Sequence, residues 1–402
     1  MKLVYLLGLG AFALGLDAYV TAGLLPVIAD DFDASVSATG QMVTTFTLAY
    51  AIASPIFATL LSAQRQRLGL LSSLAVFTVA NAASALVPTL PLLLITRALA
   101  GVGAGLYLAL AASAAAALVS KERRGRGLAI IMGGMSSGTV IGVPVGVLVA
   151  QHFGWRATLW AVSVIGLVSF LGLALRLPAL PAPDGAPTLR QRVTVLTDPR
   201  VASIVGVSFL AATASLGLYT YFAPVMADES MGGVENITPY LWAWGIGGVL
   251  GSILIGTLVD KVRRPYTLVV GIMALLVVAL VAFRVTASIH PLVALLPIAV
   301  WGAVGWALQV PQQHDLLAAR GDSGGTTAVA LNESALYLGS AVGSGLGGLA
   351  FSLHWDSSLL PLLAAGAAAL GLLLQVTGVR VSTARGAKQP AAETAVPAES
   401  AS

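Results

Sequence analysis

Long apolar stretches separated by short polar or proline-rich breaks dominate the pattern of this chain. A membrane-spanning α-helix needs about 20 apolar residues, and twelve stretches are about that length or longer. The longest break, residues 178–200, leaves six stretches on each side of it. The pattern predicts twelve spans, numbered here in chain order: residues 3–28, 40–62, 69–88, 91–119, 127–150, 156–177, 201–227, 237–259, 266–284, 291–316, 326–353 and 357–378.

The composition agrees with a membrane protein. Of the 402 residues, 57% are hydrophobic and only 9% are charged, whereas soluble domains have about 25% charged residues. The 44 glycines and 19 prolines are tolerated in membrane helices, where neighbouring helices satisfy freed backbone groups. We therefore expect an all-α protein of the lipid bilayer.

Several classes of chemistry are excluded by what the sequence lacks. The chain contains no cysteine, which rules out disulfides and thiol catalysis. Its four histidines are scattered, and it has no GxxxxGK[ST] loop for binding nucleotide phosphates. The expectation is a protein that is not an enzyme and uses no cofactor or metal.

The basic residues define a topology. Eighteen of the 21 Lys and Arg residues lie on one side: seventeen fall before span 1, after span 12 or in the five breaks on that side, and Arg176 lies at the end of span 6. Arg156 and Arg284 lie at span ends on the opposite side, and Arg97 lies within a span. Because cytoplasmic segments carry the excess of positive charge, both termini are predicted to be cytoplasmic. The net charge of +4 is then a topology signal rather than a sign of nucleic-acid binding.

The two halves of the chain repeat. LPVIADD closes span 1 at residues 25–31, and APVMADE closes span 7 at residues 223–229. With six spans per half, the halves have the same orientation and are related by an axis along the membrane normal. We expect an N-terminal six-helix bundle (1–177), a cytoplasmic linker (178–200), a C-terminal six-helix bundle (201–378) and a disordered tail (379–402), with a central site between the bundles.

Two charged residues lie deep within predicted spans. Asp17 is roughly 16 Å from the outer end of span 1 at ~1.5 Å per residue, where an acid costs on the order of 2.5 to 3.5 kcal/mol. It is a candidate proton carrier; the alternative is a structural hydrogen bond or ion pair that never titrates. Arg97 in span 4 stays charged, so it cannot carry the proton. It can be the positive charge that responds when a nearby acid loses its proton. The alternative for Arg97 is snorkelling to the outer headgroups.

Glu333 is the other acid well inside a span, one to two turns from the inner end of span 11. It is a candidate second proton site or a group that attracts cations, and the alternative is a hydrated acid close to the interface.

Aromatic and amide residues supply candidates for a substrate surface. Tyr219 and Phe222 share a helix face because they are three residues apart. Each candidate can also be a packing residue, an interfacial anchor or a lipid contact. The candidates are Tyr50, Tyr107, Tyr219, Phe222, Trp242, Trp301, Trp306, Gln309, Asn332 and Tyr337.

Glycines at every fourth position predict close helix packing in span 5. Gly134, Gly138 and Gly142 form a smooth stripe that continues to Gly146, and Pro144 removes one backbone hydrogen bond and allows a bend. Gly339, Gly343 and Gly347 predict a comparable stripe in span 11.

Four segments together resemble the major facilitator superfamily, and within it the drug–proton antiporters of the chloramphenicol-resistance and arabinose-type sugar-efflux branch. They are GLLP at 23–26, RALAGVGAG at 97–105, the Gly/Pro run at 134–146 and GTLVDKVRRP at 256–265. In the last segment, the resemblance implies a gating role for Gly256, Asp260 and Arg264. The alternative is that this segment is only a basic topology loop.

The resemblance implies a transporter that exports a small drug-like or sugar-like compound in exchange for protons, as a monomer with no nucleic-acid partner. A facilitator or uptake carrier of the same fold is the first alternative. An intramembrane enzyme or a sensor is the second, and the sequence offers no catalytic constellation or extramembrane domain for it.

Overall fold

The computed structural model describes residues 1–60, 66–120, 123–180, 189–259, 261–262 and 265–386, and the chain there is built of helices joined by short turns. Ten of these helices are long and apolar enough to cross a membrane. Helices suit this role because each one satisfies its own backbone hydrogen bonds in lipid. The predicted class, an all-α membrane protein, is confirmed.

Seven helices form the first bundle. A π-helical turn, Gly138–Gly142, joins the fifth helix to the sixth, so that these two make one span. Pro144 cannot donate to the carbonyl of Val140, which explains the departure from the α-helical pattern here. The helices are α1 (Lys2–Asp31), α2 (Val36–Leu60), α3 (Gln66–Ser84), α4 (Leu90–Ala117), α5 (Arg124–Ser137), α6 (Val143–Phe153) and α7 (Trp155–Arg176).

The rest of the chain forms the linker helix and the second bundle. Helices α9 and α10 together make span 7, and α15 continues beyond the predicted end of span 12 at residue 378. The helices are α8 (Leu189–Thr194), α9 (Pro199–Thr220), α10 (Phe222–Ala227), α11 (Thr238–Val259), α12 (Pro265–Ile289), α13 (Leu295–Ala307), α14 (Gln309–Ser352) and α15 (Leu360–Gly386).

Helix α14 turns back on itself. The amide of Gln313 donates to the carboxylate of Glu333 at 3.4 Å, although 20 residues of straight helix would span about 30 Å. Gly325 also lies against Leu317. The helix therefore has two arms, and its reversal lies where the break between spans 10 and 11 is predicted.

Span 10 combines α13 with the first arm of α14. Its helical pattern is interrupted at Leu308, because Pro311 has no amide hydrogen for the carbonyl of Ala307. Helix α2 and span 10 are the two predicted spans outside the ten crossing helices. With them, the path of the chain matches the twelve predicted spans.

The glycine stripes pack against the first helix of each bundle. A methyl group added at Gly134 or Gly138 would collide with the carbonyl oxygens of Gly8 and Phe12 on α1. Further along the same seam, Gly142 packs on Leu16 and Gly146 packs on Val20 and Leu16.

The second bundle repeats this packing. Added methyl groups at Gly339 and Gly343 would collide with the carbonyls of Phe209 and Thr213 on α9. The repeat in the sequence is therefore also a repeat of helix packing.

Side-chain hydrogen bonds join the two bundles near one end. We call the side that carries Lys2 and Arg176 the inner side, since the charges predict that it is cytoplasmic, and the opposite side the outer side. Hydrogen bonds join α2 to α14 near the outer side, where the Ser37 hydroxyl donates to the Gly348 carbonyl at 2.6 Å and the Thr44 and Ser344 hydroxyls are 2.8 Å apart. These contacts hold the outer parts of α2 and α14 together.

Candidate functional site

Asp17 and Arg97 form a buried ion pair between α1 and α4. Arg97 Nη1 donates to Asp17 Oδ1 at 2.9 Å, and Nη2 donates to Oδ2 at 2.9 Å. The side chains are 0% and 1% exposed, respectively. A bidentate pair of this kind is both strong and geometrically specific. The structure brings the two predicted partners together, and Arg97 does not reach towards the outer headgroups.

Two residues that the sequence analysis missed complete the surroundings of this pair. Asn81 on α3 accepts from Arg97 Nη1 at 2.9 Å and donates to Asp17 Oδ2 at 3.3 Å. The Arg97 guanidinium also lies 4.8 Å from the centre of the Phe46 ring, a cation–π distance. Asn81 is a polar residue in the middle of an apolar span, which is the same signal that marks Asp17.

The second bundle holds a neutral pair at the corresponding place. Ser215 on α9 stands 198 residues after Asp17, at the offset of the repeat. The Trp301 indole on α13 donates to its hydroxyl at 2.7 Å. The position that carries Asp17 in the first bundle thus carries an uncharged serine in the second, and the Asp17–Arg97 ion pair belongs to the first half.

Aromatic side chains of the second bundle meet α1 at the centre. Trp244 lies 4.4 Å from Tyr219 and 6.2 Å from Trp301, measured between ring centres. Tyr19 of α1 lies 5.7 Å from Tyr219 and 6.0 Å from Trp244. We call these rings, with two neighbouring ones, the aromatic cluster: Tyr19, Tyr219, Phe222, Trp244, Trp301 and Trp306.

Tyr19 exposes part of its side chain even though α1 contacts helices of both bundles. Its ring contacts with Tyr219 and Trp244 place it at the boundary between the two bundles. Tyr19 and Trp244 were not among the predicted substrate residues. Nothing in the spacing of the sequence distinguishes them from aromatic residues that face the bilayer.

Glu333 lies beside a second group of aromatic residues. Tyr50 of α2 and Tyr337 of α14 stack with their ring centres 3.6 Å apart. Glu333 lies four residues before Tyr337 on the second arm of α14, so the two share a helix face. It is partly exposed and accepts the hydrogen bond from Gln313. Glu333 is thus placed at the junction of the two bundles, on the inner side of the stacked tyrosines.

Some predicted substrate residues lie elsewhere. The Tyr107 hydroxyl donates to the Leu7 carbonyl at 2.9 Å, which fixes α4 against α1. Trp242 and Gln309 are partly exposed and have no recorded contact with the aromatic cluster in the described part of the chain. Asn332 is 1% exposed, and its side-chain oxygen has no hydrogen-bond partner there.

The predicted gating segment is only partly described. Gly256 lies in the last turns of α11, and no atom lies within 4 Å of a methyl group added there. Asp260 and Arg264 lie outside the described residues. Their proposed role therefore stays a prediction.

An apolar groove of about 520 Å³ runs between α2, α9 and α14 on the inner half of the protein. Its wall includes Ile52 and Leu338, which are 49% and 39% exposed. Exposed apolar side chains of a membrane protein face lipid, so the groove opens towards the bilayer. None of the predicted substrate residues lines it.

A sequence model of the Major Facilitator Superfamily matches residues 7–344, which is most of the chain. The chain belongs to the major facilitator superfamily. Membership in this family of transporters explains the repeated halves, the path of the spans and the facing bundles, and it confirms the resemblance found in the sequence.

Named relatives point in the same direction. The inner membrane transport protein YdhP of Escherichia coli K12 is 30% identical over 374 residues, covering 93% of this chain and 95% of YdhP. A chloramphenicol resistance protein of Streptomyces lividans is 32% identical over 308 residues, covering 76% and 78% of the two chains. This chain is accordingly a multi-pass membrane protein of a transporter family.

A solved structure supports the fold. The xylose transporter XylE from E. coli, in a partially occluded inward-open conformation, superposes with a TM-score of 0.70 at 18% identity, covering 93% of this chain and 96% of XylE. At this identity the likeness concerns the fold alone.

Proposed function

We propose that this transporter is an antiporter that exports a small drug-like or sugar-like organic compound in exchange for protons, by alternating access. The observation that carries the proposal is the fully buried Asp17–Arg97 pair, in which Asp17 lies near the middle of α1. A buried acid within a membrane span is a typical element of a proton pathway.

In the proposed mechanism, the ion pair is the part that responds to the proton. A proton on Asp17 removes the negative charge that holds Arg97. Among the residues that the structure describes, the guanidinium then keeps Asn81 and the Phe46 ring as partners. The cost of an unpaired buried charge favours a different arrangement of α1 against α4. Substrate and proton are exchanged if each stabilises a different arrangement of the bundles.

The substrate class is proposed from two kinds of support. One relative is named a chloramphenicol resistance protein. In the described residues, Trp244 Nε1 is a buried donor and Asn332 Oδ1 a buried acceptor without partners. Buried polar atoms are normally paired. A compound with hydroxyl or amide groups can supply such partners, and the surrounding rings suit its apolar parts.

Transport in proteoliposomes tests this proposal. Purified protein is reconstituted, a pH gradient is imposed, and the accumulation of radiolabelled chloramphenicol and arabinose is followed. We expect uphill movement of at least one compound, abolished by a protonophore. Downhill movement that ignores the gradient would identify an uncoupled facilitator and remove Asp17 from the energy-coupling step.

A further inference from the structure

The apolar groove between α2, α9 and α14 takes no part in the proposed exchange of substrate and proton. Its wall contains no charged residue, and its one polar member is Ser334. On α9 the wall extends from Ala202 to Phe209, and on α14 it extends from residue 331 to residue 338. Two turns of helix correspond to roughly 10 Å at ~1.5 Å per residue. The groove is therefore an apolar channel that follows the direction of the helices.

The linker lies at the inner end of this groove. Leu196, which follows α8, belongs to the wall, and α8 itself contacts α2 and α14. Ala202, the first wall residue on α9, comes two residues after Arg200 in the first turn of that helix. The groove thus begins close to the inner surface of the membrane and continues towards its interior.

Two exposed arginines mark the inner end of the groove. Arg190 lies on α8 and Arg200 on α9, and neither forms an ion pair among the residues that the structure describes. Asp198, two residues before Arg200, is paired with Arg320 at 3.3 Å. Positive charge is therefore available where the apolar groove meets the membrane surface.

This combination of charge and apolar surface fits a phospholipid. The cytoplasmic leaflet contains anionic lipids, and basic sites between membrane helices on that side bind their headgroups. A phospholipid carries its phosphate at the membrane surface and its acyl chains below it. A neutral apolar compound would leave the arginines unused, and a free phosphate would leave the groove unused.

We propose that the groove binds one acyl chain of an anionic phospholipid from the inner leaflet, and that Arg190 and Arg200 hold the lipid phosphate. The wall comes from both bundles, because Ile52 belongs to α2 and the residues of α9 and α14 belong to the second bundle. The lipid is accordingly a bridge between the bundles on the inner side. The inference does not depend on which compound is exported.

Native mass spectrometry of the purified full chain in detergent tests the inference. The probes are phosphatidylglycerol, which is anionic, phosphatidylcholine with the same acyl chains, which has no net charge, and glycerophosphate, which has no acyl chain. The tightest site of the wild type should bind phosphatidylglycerol at least about tenfold more tightly than phosphatidylcholine, since two arginines lie near the phosphate. Glycerophosphate should not displace the bound lipid.

Two variants separate the headgroup from the acyl chain. Arg190→Gln combined with Arg200→Gln should lose the preference for phosphatidylglycerol and keep the weaker binding of phosphatidylcholine. Ala335→Phe places a ring in the wall of the groove and should weaken the binding of both lipids at least about tenfold. The arginine variant changes only exposed side chains, so it decides the question if Ala335→Phe does not fold.

Arg124→Gln combined with Arg126→Gln is the matched control. These two exposed arginines lie in the first turn of α5, on the same side of the membrane, and α5 contributes nothing to the wall of the groove. The control should keep the preference of the wild type.

Three results would overturn the inference. They are equal binding of the two lipids by the wild type, an equal loss of preference in the two arginine variants, and unchanged lipid affinity in a folded Ala335→Phe protein. Displacement of the lipid by chloramphenicol would also overturn it, because the groove would then hold an exported compound.

Discussion

At the scale of single residues, depth within a span identified the important charges. Asp17 and Arg97 were predicted as partners because their depths differ by about one helical turn and the family resemblance implies that spans 1 and 4 are neighbours; a charged group inside a span needs such a partner. Asn81, which is hydrogen-bonded to both, is also a polar residue inside an apolar span. It is a weaker indication of function than a charged residue, since burying an amide costs less than burying a charge. The bidentate geometry could not be predicted, because it depends on how α1, α3 and α4 are rotated against one another.

The geometry changes the expected stability of variants at Asp17. Taken alone, an acid in lipid is a cost, and Asp17→Asn should relieve it. In the structure, Asp17→Asn leaves Arg97 buried without its counter-charge, which costs about 3–5 kcal/mol for a broken buried pair. Arg97→Gln should cost a similar amount for the same reason.

A double-mutant cycle measures this coupling. Asp17→Asn combined with Arg97→Gln should be more stable than the sum of the two single losses predicts, since no charge is then left unpaired. The measurement is the melting temperature in detergent of wild type, both single variants and the double variant. Strictly additive losses would mean that the two side chains do not stabilise each other.

At the scale of helices, periodicity predicted where spans exist, and glycine and proline predicted where their packing and hydrogen bonding change. For the glycine stripe of span 5, the sequence predicted close packing but not that the partner helix is α1. Spacing indicates that some helix approaches closely. Only the fold identifies which helix it is. At Pro144, the sequence likewise predicted a missing backbone hydrogen bond but not the π-helical turn that precedes it.

Two glycines on the same span provide a matched comparison. Gly138→Ala should lower the free energy of unfolding by about 1–3 kcal/mol, the usual cost of overpacking, because the new methyl group meets the Phe12 carbonyl. Gly133→Ala adds the same group where no atom lies within 4 Å, and it should be neutral or slightly stabilising, since alanine favours helix.

The measurement is thermal unfolding of both variants in detergent. Equal effects at Gly133 and Gly138 would refute close packing of this stripe against α1.

At the scale of the whole molecule, the repeat of 198 residues predicted two related bundles and a site between them. It could not predict which rings turn towards that site, because aromatic residues are common on both lipid-facing and inward faces. Tyr19 and Trp244 were missed for this reason, and Tyr107 was included although its hydroxyl is used within the first bundle.

Alternating access requires the outer contact between the bundles to open. Thr44→Cys with Ser344→Cys should form a disulfide across the bundles, because the two hydroxyls are 2.8 Å apart. The oxidised protein should lose at least about 90% of its transport, the loss expected when a required motion is blocked, and a reductant should restore it. The absence of native cysteine leaves no competing thiol.

A disulfide within one bundle is the control for this experiment. The hydroxyls of Ser84 and Thr96 are also 2.8 Å apart, and both belong to the first bundle. A disulfide between cysteines at these positions should leave transport intact. If the Thr44–Ser344 link also left transport intact, the outer contact would not need to open.

The confinement of the ion pair to one half has a consequence for how such proteins diversify. The first bundle holds Asp17, Arg97 and Asn81, whereas most of the aromatic cluster belongs to the second. Under the proposed mechanism, mutations that reshape the rings can change which compounds are accepted while the use of the proton gradient is preserved. A duplicated ancestral half could thus have acquired new specificities in one copy, with selection holding the energy-converting copy constant.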